Sequence, residues 1–91
     1  MWLPLPHTKY LKAGMSEHLK LDTKGLLCPM PVIRTQDAIK NLSPGDQITV
    51  AATDPGTNHD IPAWCRVHGH KVTQQYSEDQ IFYFEIEVQD N

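Results

Sequence analysis

The stretch Gly25-Leu-Leu-Cys-Pro-Met-Pro-Val32 separates two kinds of hydrophobic periodicity, and this change decides the fold. Before it, Leu19 and Leu21 alternate with polar residues, as is typical of a half-buried strand. After it, apolar residues recur at helical spacing as far as Leu42. Pro31 suits the first turn of a helix, where its missing N–H costs nothing. The stretch therefore predicts a loop that leaves a strand and enters a helix.

The rest of the chain repeats this alternation. Turn residues at 43–46 end the first helix, and Gly69 is well placed to end a second one. The predicted elements after the first helix are a strand at 47–53, a helix at 61–69 and strands at 70–77 and 81–88. Each helix has one apolar stripe, and each strand has one apolar face. The order β-α-β-α-β-β predicts an α/β (α+β) fold, a two-layer sandwich with both helices on one face of a four-stranded mixed sheet.

Length and composition limit the possible functions. A chain of 91 residues with 40% hydrophobic and 21% charged residues is typical of one globular domain. Residues 1–17 lack periodicity and are interpreted as a flexible N-terminal extension, with the domain at 18–91. The net charge of −3 and the scattered basic residues argue against direct binding of nucleic acid. No apolar run is long enough for a membrane span and no signal peptide is recognised, so a cytoplasmic location with reduced thiols is expected.

The lone Cys28 allows several interpretations. A buried thiol is the usual fate of a single cysteine, but the flanking prolines indicate an exposed tip at the start of a helix. A disulfide with Cys65 needs a proximity that the sequence does not indicate, and Cys65 is better explained as a core residue of the second helix. A zinc site is disfavoured because only His68 and His70 are closely spaced. No histidine spacing indicates a Cys/His hydrolase pair.

A thiol at a helix N-terminus has a physical route to reactivity. The helix dipole favours the thiolate, so a lowered pKa is expected for Cys28, with Lys24 and Arg34 as nearby cations. Apolar neighbours would suit contact with another protein. The predicted docking residues are Leu27, Pro29, Met30, Pro31 and Arg34. Four acidic residues are interpreted as caps and turns: Asp22, Asp46, Asp54 and Asp60. His59 and His70 are expected at the surface.

These landmarks together resemble the TusA/SirA-like sulfur carrier family. The resemblance covers about residues 19–88 and depends on four motifs in order. They are Leu21-Asp22 followed by Gly25-Leu26-x-Cys28-Pro29-x-Pro31; Gly45-Asp46; Asp54-Pro55-Gly56 with Asp60-Ile61-Pro62 and Trp64-Cys65; and Gly69-His70. A single C-P-x-P would be weak evidence, whereas all four motifs in this order are specific.

The resemblance implies a function for Cys28. It would accept a sulfane sulfur as a persulfide from a cysteine desulfurase or a rhodanese and relay it to a cysteine of an acceptor protein, for example towards 2-thiouridine at the tRNA wobble position. The protein would act as a co-substrate, without a cofactor or metal, and as a monomer. The alternatives are a carrier for sulfur oxidation or cofactor synthesis, and a regulatory or nucleic-acid-binding module on the same fold.

Overall fold

The computed structural model describes residues 18–89 and contains six elements in the predicted order. They are β1 (His18–Thr23), α1 (Met30–Ile39), β2 (Gln47–Ala52), α2 (Thr57–Val67), β3 (Lys71–Glu78) and β4 (Ile81–Glu87). The predicted N-terminal extension at 1–17 lies outside the described residues. Within 18–89, no helix combines the length and the apolar character needed to cross a bilayer.

The strand order β1-β2-β4-β3 explains how both helices reach one face of the sheet. β1 and β2 are parallel, and β4 runs antiparallel to both β2 and β3. The connections through α1 and α2 therefore join strands that run in the same direction, and both step across the sheet in the same sense. Right-handed crossovers of this kind place both helices on the same face. The predicted two-layer sandwich with a mixed sheet is confirmed.

The core lies between this face and the two helices. Alternate residues of the two central strands are fully buried: Ile48, Val50 and Ala52 of β2, with Phe84 and Ile86 of β4. The helices contribute Ile39, Ile61 and Cys65. Each large apolar side chain buried in this way stabilises the fold by about 1.5–3 kcal/mol. The predicted inward faces of β2 and β4 are thus confirmed, although Phe82 at the start of β4 is only half-buried.

The first helix is shorter than predicted, because the chain tightens at its C-terminal end. α1 ends at Ile39, and the next amides bond three residues back, from Asn41 to Ala38 O (3.1 Å) and from Leu42 to Ile39 O (2.9 Å). Such bonds satisfy carbonyls that a helix end leaves free. Leu42 still packs against the core from this turn.

The second helix begins at Thr57, four residues before the predicted start. A start at residue 61 would place Pro62 in the first turn, where its missing N–H costs nothing, but in the structure Pro62 lies inside the helix. Pro62 has no N–H for the carbonyl of Asn58. The side chain of Gln75 on β3 supplies a donor instead, with Nε2 at 3.3 Å from Asn58 O. A tertiary contact therefore makes an interior proline tolerable.

The C-terminal end of α2 confirms the predicted role of Gly69. This residue has a φ of +81°, a conformation that favours glycine. The amide of Gly69 donates to Arg66 O (3.4 Å), and the amide of His70 donates to Cys65 O (2.8 Å). These two bonds form a Schellman motif, which satisfies the last carbonyls of the helix.

The edge strand β3 departs from the simple alternation that the sequence predicted. The pairing with β4 shifts between Val72 and Gln74, which indicates a β-bulge and breaks the expected alternation through Tyr76. The predicted tight turn after β3 is present. Asp79 and Gln80 have φ values of 54° and 66°, as in a two-residue type I′ hairpin.

Candidate functional site

The loop between β1 and α1 is fastened to the connection between β2 and α2. The Gly25 amide donates to Thr53 Oγ1 (2.9 Å), and the Cys28 amide donates to Asp54 Oδ2 (2.7 Å). Gly25 has a φ of +84°, so the turn favours a glycine here. These bonds hold the loop at the end of the sheet where β1 and β2 finish.

Asp54 organises both sides of this junction. Its Oδ1 accepts the amide of Gly56 (3.1 Å), and its main-chain oxygen accepts both the amide (3.0 Å) and the hydroxyl (2.7 Å) of Thr57. Together with the bond from Cys28, these contacts make Asp54 a turn residue and a clamp. The predicted turn role of Asp54 is confirmed. The hydrogen bond that Asp54 accepts from the Cys28 loop was not predicted from the sequence.

The thiol of Cys28 is exposed and faces the first turn of α2. Cys28 Sγ donates to Asp60 Oδ2 at 2.6 Å, across 32 positions of sequence. The buried-thiol interpretation of Cys28 is therefore wrong. The assignment of Asp60 to a cap or turn is also incomplete, because this carboxylate contacts the sulfur directly.

The expected lowering of the Cys28 pKa is wrong. The hydrogen bond to Asp60 raises the pKa of the thiol, and desolvation and the charges of Asp60 and Asp54 act in the same direction. A full negative charge in contact with the sulfur outweighs the partial positive charge of a helix end. Pro29 and Pro31 have no N–H, and the Met30 amide donates to the Leu27 carbonyl (2.8 Å). None of these three positions therefore offers an amide to the sulfur.

Four of the five predicted docking residues lie at the surface: Leu27, Pro29, Met30 and Arg34 are exposed. Pro31 is fully buried, so it cannot form part of a contact surface and its assignment is corrected. Its carbonyl accepts the hydroxyl of the buried Thr35 at 2.8 Å.

An apolar residue that the sequence reasoning passed over adds to this surface. Ile33 is 41% exposed and follows Met30 by three positions on α1, so the two side chains are neighbours along the helix. Leu27, beside the thiol, is 72% exposed. The spacing from Met30 to Ile33 was the signal available in the sequence. We call Leu27, Met30 and Ile33 the apolar rim.

Cys65 has the buried environment expected of a core residue. Its relative exposure is 1%, and burial raises the pKa of its thiol to about 11. Both cysteines are free thiols, so the alternative of a Cys28–Cys65 disulfide is not realised. Among residues 18–89, no three His, Cys, Asp or Glu side chains are grouped in a way that could hold a metal ion.

Comparison with known proteins identifies the family. The chain matches the family described as "Sulfurtransferase TusA" over residues 19–88. It belongs to the TusA family. A Bacillus subtilis relative named "Putative sulfur carrier protein YrkI" is 43% identical over 67 residues, which cover 74% of this chain and 89% of the relative. The "Sulfur carrier protein TusA" of Pseudomonas aeruginosa is 43% identical over 58 residues, 64% of this chain and 73% of that protein.

A solved structure supports the same fold. The crystal structure of a SirA-like protein from Desulfitobacterium hafniense superposes with a TM-score of 0.71 at 20% identity, covering 79% of this chain and 99% of that one. The resemblance to the TusA/SirA-like family is thus confirmed in sequence and in architecture. Membership in the TusA family makes this chain a sulfur carrier by class, with sulfur donor and acceptor proteins as partners.

The TusA-family landmark Gly69-His70 has a structural role that sequence reasoning missed. His70 was expected at the surface, but its ring is half-buried and stacks on Trp64, with centroids 5.5 Å apart and planes at 24°. Its Nδ1 accepts the amide of Gln89 at 3.1 Å. Desolvation, followed by the charge of His68, lowers the pKa of His70. A neutral ring is required here, because a protonated Nδ1 could not accept the amide.

Proposed function

We propose that the protein carries a sulfane sulfur as a persulfide on Cys28. The observation that carries this proposal is the free, exposed thiol on the anchored loop before α1, in a chain of the TusA family. Sulfur transfer between proteins needs an accessible thiol and no enclosed cleft, because the substrate is the persulfide of another protein. Cys65 does not meet this requirement, since it is buried.

The proposed transfer needs no cofactor and no external oxidant. Cys28 Sγ attacks the outer sulfur of a donor persulfide, and the bond between the two donor sulfurs breaks with its electron pair going to the donor cysteine. One S–S bond forms as another breaks, so the transfer involves no net oxidation or reduction. In delivery, an acceptor cysteine attacks the outer sulfur on Cys28 in the same way.

The apolar rim is the proposed contact surface for these partners. Leu27 lies next to the thiol, and Met30 and Ile33 continue from it along α1. Exposed apolar side chains around a reactive group favour docking of a partner protein. Arg34 is exposed on the same helix and adds a charged contact. The proposed donors are a cysteine desulfurase or a rhodanese, and the proposed acceptor is the cysteine of a downstream relay protein.

The pathway follows from the acceptor. We propose the route towards 2-thiouridine at the tRNA wobble position, with the protein working as a cytoplasmic monomer that contacts neither nucleic acid nor membrane itself. Supply of sulfur to oxidation or to cofactor synthesis would require a different acceptor. A strain without the gene separates these routes: the proposal expects wobble thiolation to fall, and normal thiolation would contradict it.

Intact-mass spectrometry tests the persulfide directly. The protein is incubated with a cysteine desulfurase and cysteine, or with a rhodanese and thiosulfate, as wild type, Cys28→Ser and Cys65→Ser. The expected result is a gain of about 32 Da, one sulfur atom, that dithiothreitol removes and that only Cys28→Ser lacks. No gain with either donor, or a gain that persists in Cys28→Ser, would overturn the proposal.

A pair of variants tests the contact surface. Leu27→Gln removes an exposed apolar side chain beside the thiol, and Leu19→Gln removes one from β1, where 37% of the residue is exposed. We expect slower loading by the donor in Leu27→Gln, with unchanged reaction towards a small alkylating agent, and no change in Leu19→Gln. Equal loading rates in the two variants would show that the apolar rim is not the contact surface.

A further inference from the structure

The residue in contact with the sulfur is Asp60, which belongs to the third sequence motif but has no chemical role in the persulfide or docking proposals above. Its Oδ2 lies 2.6 Å from Cys28 Sγ, as the acceptor of the thiol proton. Asp54 fixes the direction of this contact, because its Oδ2 holds the Cys28 amide at 2.7 Å while the rest of the residue is bonded to the start of α2. The thiol of Cys28 is therefore held in hydrogen-bond contact with the carboxylate of Asp60.

Within residues 18–89, the charges that act on the thiol are all negative. Asp60 from α2 and Asp54 from the connection before it are the described groups whose charges act on Cys28. Lys24, expected as a nearby cation, has its Nζ 3.3 Å from Asp22 Oδ1 instead. Arg34 on α1 does not contribute to the shift at Cys28. The sulfur therefore faces two negative charges, and these disfavour a free thiolate.

We propose that Asp60 is the proton acceptor of the sulfur transfer and, in the free carrier, the group that keeps Cys28 protonated. This inference rests on the proposed persulfide function of Cys28 and assigns the second catalytic residue of that site. The two roles agree. A carboxylate in contact with the thiol penalises the isolated thiolate, but it offers the proton a place to go when Sγ forms its bond to sulfur.

The loading step balances in this scheme. As Sγ attacks the outer sulfur of the donor persulfide, its proton passes to Asp60 Oδ2, and the donor cysteine leaves as a thiolate. The proton then passes from Asp60 to that thiolate. A thiol and a donor persulfide become a Cys28 persulfide and a donor thiol, with no change in total charge. Delivery is the reverse: the acceptor thiol gives its proton to Asp60 as its sulfur attacks the outer sulfur on Cys28, and Sγ leaves and takes that proton from Asp60.

The same arrangement makes the carrier selective about when it reacts. Small disulfides and oxidants react with thiolates, so a protonated Cys28 reacts slowly with them. A loaded Cys28 is also a poor leaving group, because a thiol of raised basicity departs slowly unless a proton is supplied. Sulfur is thus retained between partners and moves within a docked complex.

Two rates measured on Asp60→Asn test the proposal. Asparagine keeps the shape and removes the charge. The first rate is the alkylation of Cys28 by iodoacetamide as a function of pH, followed by mass spectrometry; Cys65 is silent because it is buried. The second is the loading of Cys28 by a cysteine desulfurase and cysteine. Asp37→Asn, which removes an exposed carboxylate of α1, is the matched control, and circular dichroism checks folding.

The proposal expects the two rates of Asp60→Asn to change in opposite directions. Alkylation at neutral pH becomes severalfold faster, with its pH profile moved to lower pH, while loading becomes severalfold slower. Asp60→Glu, which keeps the charge, retains the high-pH alkylation profile, and Asp37→Asn matches wild type in both assays. An unchanged alkylation profile, or loading that accelerates along with alkylation, overturns the role of Asp60.

These measurements distinguish a failure of the role proposed for Asp60 from a failure of the persulfide function proposed for Cys28. If wild type fails to load with any donor, the function of Cys28 fails, whereas the alkylation profile still reports the pairing of thiol and carboxylate. If wild type loads on Cys28 and Asp60→Asn behaves like Asp37→Asn in both assays, the persulfide function stands and Asp60 has no part in it.

Discussion

The two cysteines of this chain occupy opposite environments. Cys28 lies on an exposed loop before α1, held in place by a hydrogen bond from its backbone to Asp54. Cys65 lies on the inner face of α2, among the side chains of the core. In both cases the pKa of the thiol is raised, but by different causes: the Asp60 hydrogen bond at Cys28 and burial at Cys65. An exposed thiol and a buried one can therefore both be protonated at neutral pH.

The difference between the causes matters for function. Burial removes the sulfur from any reagent, and only unfolding or local opening can reverse it. A carboxylate in contact with an exposed sulfur leaves it accessible, and a change at that carboxylate can reverse the effect. Cys28 is therefore suited to controlled chemistry, whereas Cys65 is suited to packing.

The largest expected effect is the contrast in accessibility. In the native protein we expect iodoacetamide to modify Cys28 at least about a hundredfold faster than Cys65, since the reaction of Cys65 requires an opening that costs several kcal/mol. Mass spectrometry of the digested protein at successive times measures both rates. In urea, where the chain is unfolded, the two rates should become similar. A fast reaction of Cys65 in the native state would remove the basis of the comparison.

The next effect concerns stability. Cys65→Ser places a hydroxyl in an apolar core and should lower the free energy of unfolding by about 1–3 kcal/mol. Cys28→Ser, at an exposed position where serine can also donate to Asp60, should change it by less than about 0.5 kcal/mol. Urea unfolding followed by circular dichroism measures both values. Similar losses in the two variants would mean that the loop contributes as much to the fold as the core does.

A variant of Asp54 tests how far the loop depends on its clamp. Asp54→Ala leaves the amides of Cys28 and Gly56 without their carboxylate partner, so we expect a loss of about 1–2 kcal/mol in the free energy of unfolding. Asp37→Ala, at an exposed position on α1, is the control and should lose less than about 0.5 kcal/mol. Unfolding in urea again measures the difference, and equal losses would contradict the proposed clamp.

The smallest effect near neutral pH is the contribution of Cys65 to the pH dependence of stability, which appears only above pH 9. Its pKa is about 11 in the folded protein and 9.0 as the ordinary value, so above pH 9 the unfolded chain releases a proton that the folded chain keeps. The contribution of this thiol to the free energy of unfolding is fully present below pH 9. It declines towards pH 11 by at most about 1.4 kcal/mol per pH unit. Comparison of wild type with Cys65→Ala by urea unfolding between these pH values measures it. If the free energy of unfolding falls equally in wild type and in Cys65→Ala, groups other than Cys65 account for the loss.

Much of the fold was predictable, because it depends on patterns within short segments. The alternation along β2 and β4, the apolar stripe of α1 and the glycine after α2 are all local signals, and the structure confirms each of them. The errors arose where a distant partner overrides a local rule. Pro62 lies inside α2 because Gln75 on β3 bonds the carbonyl that the proline leaves free. His70 is half-buried because Trp64 and Gln89 surround its ring.

The sequence by itself determined the βαβαββ order, the family, and the position of Cys28 before a helix that two prolines begin. Periodicity and turn chemistry are properties of neighbouring residues, so they can be read along the chain. Only the tertiary structure decided the chemical state of the thiol. Asp60 is 32 positions from Cys28, and the fold brings the carboxylate of one helix to the sulfur before the other. A pKa depends on distances between charges, and the sequence does not contain those distances.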